Sequence, residues 1–147
     1  LRVQFTVGQR LPSLIGALGR CFAGHLNLTK AEVKVMFKEL RWQNAPTFEQ
    51  YWSDVEAARR TGFAVDIGHY NRNFTTVAAP ILTGSGEATM AISAITFSGD
   101  LDRPRMLRLA ADLKRVTGEA SNALGYSGSP AMAKAAPAGR GKAAPRK

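Results

Sequence analysis

The sequence predicts an α+β fold, a sheet flanked by helices. Apolar residues recur at helical spacing through the first half, three short β-rich runs follow, and an amphipathic helix closes the pattern. That order contains no regular βαβ repeat.

Pro12 and Ser13 lead into LIGALGRCFAGHL, where Leu14, Leu18, Cys21 and His25 share a helical stripe, so the first helix is expected from near Ser13 to about Leu26. Gly16 and Gly19 near its start are unusual. Glycine inside a helix costs up to about 1 kcal/mol relative to alanine, so something is expected to approach the backbone there. Thr29 with Glu32 three residues on forms a capping-box pattern, opening a helix with Val33, Phe37 and Leu40 inward and Lys30, Lys34, Lys38 and Arg41 outward. Thr47 with Gln50 repeats the pattern for a third helix, whose apolar face is Phe48, Tyr51 or Trp52, Val55 and Ala58 and which ends before Gly62.

The period then changes. FAVDI, VAAPIL and ATMAISAITF are β-rich runs, the last two joined by Thr83-Gly84-Ser85-Gly86, which reads as a tight hairpin loop in an antiparallel sheet. Asp102 before Pro104 caps the closing helix, with Met106, Ala110, Leu113, Ala120 and Leu124 as the apolar stripe. Arg108 with Asp112 and Arg115 with Glu119 lie four apart on the opposite, water-facing side.

A length of 147 residues with 45% apolar composition fits one globular domain. Residues 1–126 are read as that domain and 127–147 as a disordered basic tail rich in Ala, Pro and Lys. The alternation of Leu1, Val3, Phe5 and Val7 with polar residues, and a first residue that is not Met, read as a fragment entered mid-domain. The net charge is +9, but Lys134, Arg140, Lys142, Arg146 and Lys147 carry five of those charges in a tail without acids. The tail is read as a solubilising appendage; weak, salt-dependent attraction to DNA phosphates is the alternative, which would make the chain a small basic nucleic-acid-binding module. A single cysteine, Cys21, excludes an intrachain disulfide and suits the cytoplasm. No apolar run is long enough to span a membrane.

Catalytic patterns are sparse, and the chain is read as no enzyme. Cys21 and His25 are four apart on a helix, the spacing of a nucleophile and its base, but both lie on the apolar stripe and need no chemistry to explain them. No metal-binding spacing supports a site from Cys21, His25 and either Asp66 or His69, and no cofactor motif is present. Asp66 reads first as the acid that starts a turn, and second as a pocket residue. The Gly16-Ala17 region sits at a helix amino end, whose free N–H groups and partial positive charge suit a small carboxylate. Close packing of small residues explains the same pair equally well.

Several blocks together resemble one family. Val7-Gly8-Gln9-Arg10-Leu11-Pro12 followed by Gly16-Ala17-Leu18-Gly19-Arg20 looks like the segment that opens the ligand pocket of IclR-type bacterial transcription regulators. Ala57 to Asp66, Thr76 to Ile81, Ala91-Ile92-Ser93 and Ala123 to Tyr126 match in order and distance. The resemblance implies a curved antiparallel sheet flanked by helices, of the GAF/profilin-like kind. It implies a small-molecule effector, often a carboxylic or aromatic acid, and self-association as dimer or tetramer. DNA contact would come from an amino-terminal winged helix-turn-helix domain that this chain lacks. By position it implies effector contacts at Gly16, Ala17, Asp66, Thr76 and Ser93, with Asp66 accepting from a ligand hydroxyl or water. Ile95 stands where a second serine is common, and Leu14 and Ile15 where a smaller pair is, which favours a larger, partly apolar or aromatic acid.

Overall fold

A computed structural model of the chain describes residues 13–128. The amino-terminal alternation and nearly all of the basic tail lie outside the described residues. Four helices and three strands follow in the order α1 (Gly16–His25), α2 (Lys30–Lys38), α3 (Phe48–Thr61), β1 (Ala64–Ile67), β2 (Phe74–Leu82), β3 (Ala88–Phe97) and α4 (Arg103–Ala123). The expected α+β class holds.

Both capping boxes form. Thr29 accepts from the Glu32 amide while Glu32 accepts from the Thr29 amide, and Thr47 and Gln50 do the same for α3. Each satisfies two amides that a helix start otherwise leaves unpaired. Helix α3 ends at Gly62, and Asp102 caps α4 through the Arg105 amide. Helix α1 departs from expectation: it starts at Gly16 rather than near Ser13, and its cap residue Ile15 offers no side-chain acceptor.

The sheet is antiparallel in the order β1-β2-β3, and the β2–β3 turn closes through Thr83 and Gly86 as expected. Ala64 pairs with Ala78 and Asp66 with Thr76 across β1 and β2; Thr76 pairs with Ile95 and Ala78 with Ser93 across β2 and β3. Register partners share a face and neighbours alternate. One face of β2 therefore carries Thr76, Ala78 and Pro80, and the other Val77, Ala79 and Ile81. Pro80 lies beyond the part of β2 that pairs with β1, so its missing N–H removes no bond between those strands.

Each face has its own core. Ala17, Cys21, Ala58, Ala64 and Ala78 pack α1 and α3 onto one side, and Val77, Ala79, Ala110 and Leu113 pack α4 onto the other. A third cluster joins Leu14, Ala23, Val33, Tyr51 and Val55, with Phe37, Trp42, Phe48 and Trp52 around it. Tyr51 rather than Trp52 is the buried aromatic of α3, and its hydroxyl donates to the Leu14 carbonyl at 2.7 Å.

The stripe on α4 differs from expectation in its last turns. Thr117 and Ser121 take the buried positions, whereas Leu124 is 45% exposed. The reason is polar: Ser121 accepts from the Leu82 amide at 2.9 Å and donates to the Thr117 carbonyl at 2.6 Å. A leucine there would leave a strand amide unpaired. On the outer side Arg115 and Glu119 pair at 3.1 Å, while Arg108 and Asp112 form no ion pair among the described residues. Among the described residues no helix is long and apolar enough to cross a membrane.

Candidate functional site

Two glycines fix the start of α1, for different reasons. Gly16 has φ +66°, a region that side-chain-bearing residues adopt at a cost. Gly19 is required by contact: a Cβ there would stand 1.9 Å from the Leu14 carbonyl carbon. What approaches the backbone at Gly19 is thus the chain itself, whereas among the described residues a Cβ at Gly16 would meet only the Tyr70 Cβ, at 3.8 Å.

Helix α1 lies on the sheet face that carries Asp66, Thr76 and Ser93. Gly16 and Ala17 are buried at its amino end. Thr76 and Ser93 are half-buried diagonal neighbours on β2 and β3, and among the described residues neither hydroxyl has a hydrogen-bond partner within the protein. The same face continues into Ile95 and Phe97, each more than two-fifths exposed, with Phe74 and Phe97 rings 5.7 Å apart. Among the described residues, two hydroxyls without partners beside an apolar platform, on the face against which α1 packs, form a surface suited to a small amphipathic molecule.

Asp66, the register partner of Thr76 on that face, is engaged within the protein. It is 2% exposed, and both of its oxygens are engaged within the protein. Oδ1 accepts from Arg20 Nη1 at 2.8 Å and lies 3.2 Å from His69 Nδ1; Oδ2 accepts from the Tyr70 amide at 3.0 Å. Of the two readings of Asp66, the geometry matches the acid that starts a turn.

Arg20 is the residue that sequence reasoning passed over. It is fully buried, donates to Asp54 and Asp66, reaches His69 at 3.2 Å, and its guanidinium lies over the Trp42 and Tyr51 rings. An arginine on an otherwise small and apolar helix was the available signal, because a buried arginine requires acidic partners.

The thiol and imidazole of α1 do not form a nucleophile and base. Cys21 is buried, its thiol is pushed up to about 12 by that burial, and it donates to the Ala78 carbonyl at 3.4 Å. His25 donates from Nδ1 to the Cys21 carbonyl at 2.9 Å rather than meeting the thiol. Among the described residues no group of His, Cys, Asp and Glu side chains is arranged to hold a metal ion.

Fold and site together define an α+β domain that presents one sheet face beneath a helix amino terminus. A family model described as bacterial transcriptional regulator IclR C-terminal matches residues 1–122. The chain belongs to the IclR family, as the C-terminal domain of such a regulator. Among solved structures it is similar to the repressor BlcR of Agobacterium tumefaciens, with a TM-score of 0.71 and 21% identity over 83% of this chain and 50% of that one. An IclR transcriptional regulator from Alicyclobacillus acidocaldarius matches with a TM-score of 0.71 and 22% identity, over 83% and 50% of the two chains. The IclR of Thermotoga maritima matches at 0.63 and 21%, over 76% and 46%. The chain therefore spans about half the length of these neighbours. No curated protein matches the sequence significantly.

Proposed function

We propose that this domain is the effector sensor of its regulator and binds a small carboxylic acid with an apolar or aromatic body beneath α1. In this reading the carboxylate lies at the Gly16 and Ala17 amides, Thr76 and Ser93 donate to it, and the body of the acid rests on Ile95 and the Phe74–Phe97 pair. The observation that carries the reading is the pair of hydroxyls, Thr76 and Ser93, that have no partner among the described residues, on the sheet face against which α1 packs. The domain acts by binding and not by turnover.

Its effect on DNA follows from population shift. An acid that prefers one arrangement of a dimer or tetramer changes the spacing of the helix-turn-helix domains of the regulator, and with it their fit to paired half-sites in the cytoplasm. The boundary of the sensing domain falls at residue 126, and the basic segment behind it acts as a solubilising appendage.

Titrating organic acids while following the melting temperature tests the reading, since a ligand at a hundred times its dissociation constant stabilises the folded state by about 2.7 kcal/mol. A selective acid should raise the melting temperature, and Ser93→Ala and Gly16→Val should each diminish the rise. The reading fails if no acid shifts it or if neither substitution matters.

A further inference from the structure

We propose that the outer edge of β3 pairs with the same edge of a second copy of this chain, so that two sheets join across a two-fold axis and Ser93, Ile95 and Phe97 of both copies form one shared platform. The pairing stands on the geometry of β3; that the platform receives an organic acid rests on the reading above.

Three observations carry it. First, among the described residues β3 is an end strand of the sheet and bonds to β2 on one side alone. The Ser98 amide donates to the Asn73 carbonyl at 2.8 Å, and the direction of these groups alternates along a strand. The backbone groups of Ile92, Ala94 and Thr96 therefore face β2, and those of Ala91, Ser93, Ile95 and Phe97 face outward. The shift of register lies at Ile81/Leu82, past this stretch. Second, the edge lacks the devices that keep a sheet edge from pairing. Strand β3 runs for ten residues without a charged side chain or a proline, whereas β1, at the other end of the sheet, has four residues and includes Asp66. A two-fold axis sets an edge against itself, so a charge near the axis would meet its own like. Freedom from charge is thus a condition of self-pairing in particular. Third, the helices stop short of this edge. Met90 on the α4 side is 50% exposed, and Ile95 and Phe97 on the α1 side are 41% and 43% exposed.

Edge and platform are built from the same residues. The four residues whose backbone faces outward also share one sheet face, the face on which α1 packs. Opposed residues of an antiparallel pair point to the same side, so the second copy continues that face with the same three side chains. Main-chain hydrogen bonds would hold the two edges together, as in strand addition generally. A molecule resting on Ile95 and Phe97 then touches both copies, and its binding and their pairing favour each other.

Sedimentation of the whole chain over a dilution series, alongside hydrogen exchange of the β3 amides, decides the matter. Monomer should give way to dimer as concentration rises, and exchange at Ala91, Ser93, Ile95 and Phe97 should slow with it, while Ile92, Ala94 and Thr96 stay slow throughout. Ile95→Lys sets like charges against each other and should raise the dissociation constant of the dimer more than about tenfold. Ile95→Thr keeps a β-branched side chain and should leave the dimer in place, as should Leu107→Lys, a change at a comparably exposed position on α4. The exchange pattern of the wild-type chain needs no variant, so it decides the pairing even if the lysine variant fails to fold. A monomer at every concentration would overturn the proposal. So would slow exchange of the outward amides in the monomer, which would mean that the same chain covers its own edge, or a dimer that Leu107→Lys breaks and Ile95→Lys spares. Benzoate should lower the dissociation constant of the wild-type dimer; a dimer with the expected exchange pattern that ignores benzoate upholds the pairing and counts against the acid-binding reading alone.

Discussion

Arg20 and Asp66 meet at 2.8 Å with their side chains 0% and 3% exposed, and the pair joins α1 to β1. Breaking a buried pair from one side leaves an uncompensated charge. Arg20→Met should therefore destabilise the domain by about 3–5 kcal/mol in urea denaturation. Arg20→Lys should also lose stability, because an ammonium cannot span Asp54, Asp66 and His69 as the guanidinium fork does.

Of the four helical glycines, Gly16, Gly19 and Gly118 should respond to alanine in a fixed order. Gly19→Ala forces a Cβ into the Leu14 carbonyl, 1.9 Å away, and should cost more than about 3 kcal/mol. Gly16→Ala makes only an ordinary contact with the Tyr70 Cβ, at 3.8 Å, but adopts an unfavourable φ of +66°, for about 1–2 kcal/mol. Gly118→Ala, with nothing within 4 Å, should raise stability by about 0.5–1 kcal/mol. Melting temperatures of the three variants give the order directly.

Ser121→Ala removes the acceptor of the Leu82 amide. The expected loss is about 1–3 kcal/mol, the cost of a buried donor left unpaired. Faster hydrogen exchange at Leu82 would separate this cause from a general loosening of α4.

His25 sets a pH dependence. Burial, opposed in part by its bond to the Cys21 carbonyl, holds the imidazole below its ordinary 6.5 in the folded chain. The unfolded chain then binds the proton more readily, so the contribution of His25 is complete above pH 6.5 and is lost as pH falls toward the lower folded value. Stability measured from pH 7.5 downward should decline in that window, and His25→Gln should flatten this part of the profile.

Cys21 should resist thiol reagents in the native state, since its thiol is buried, donates to Ala78 and is pushed up to about 12. Labelling should proceed at the rate of opening or unfolding, which guanidinium accelerates. Rapid labelling of folded protein would contradict the packing of α1 on β2.

Elements governed by local rules were legible in the sequence. Thr29 with Glu32, Thr47 with Gln50, and Asp102 with Pro104 mark helix starts through bonds that close within a few residues. The β2–β3 turn carries its own glycines. Long-range contacts were not legible. Ser121 is buried because Leu82 lies across from it, 39 positions earlier, and Arg20 finds Asp66 at a separation of 46. The start of α1 was misplaced for a related reason: the chain from Leu14 to Gly19 folds tightly against itself, so the helix begins at Gly16 rather than near Ser13. For the candidate site, composition and spacing pointed to Gly16 and Ala17, and the resemblance pointed to these and to Asp66, Thr76 and Ser93.

Strand β2 is paired on both sides and delivers alternate residues to two separate cores, Ala78 beneath α1 and Val77 with Ala79 beneath α4. Its length is therefore a matter of parity. One residue inserted between Thr76 and Pro80 would exchange the two sets, bringing valine to where the alanines of α1 leave room for a methyl group. The Thr83–Glu87 turn carries no such constraint, and length variation among descendants of this chain should collect there and stay out of β2.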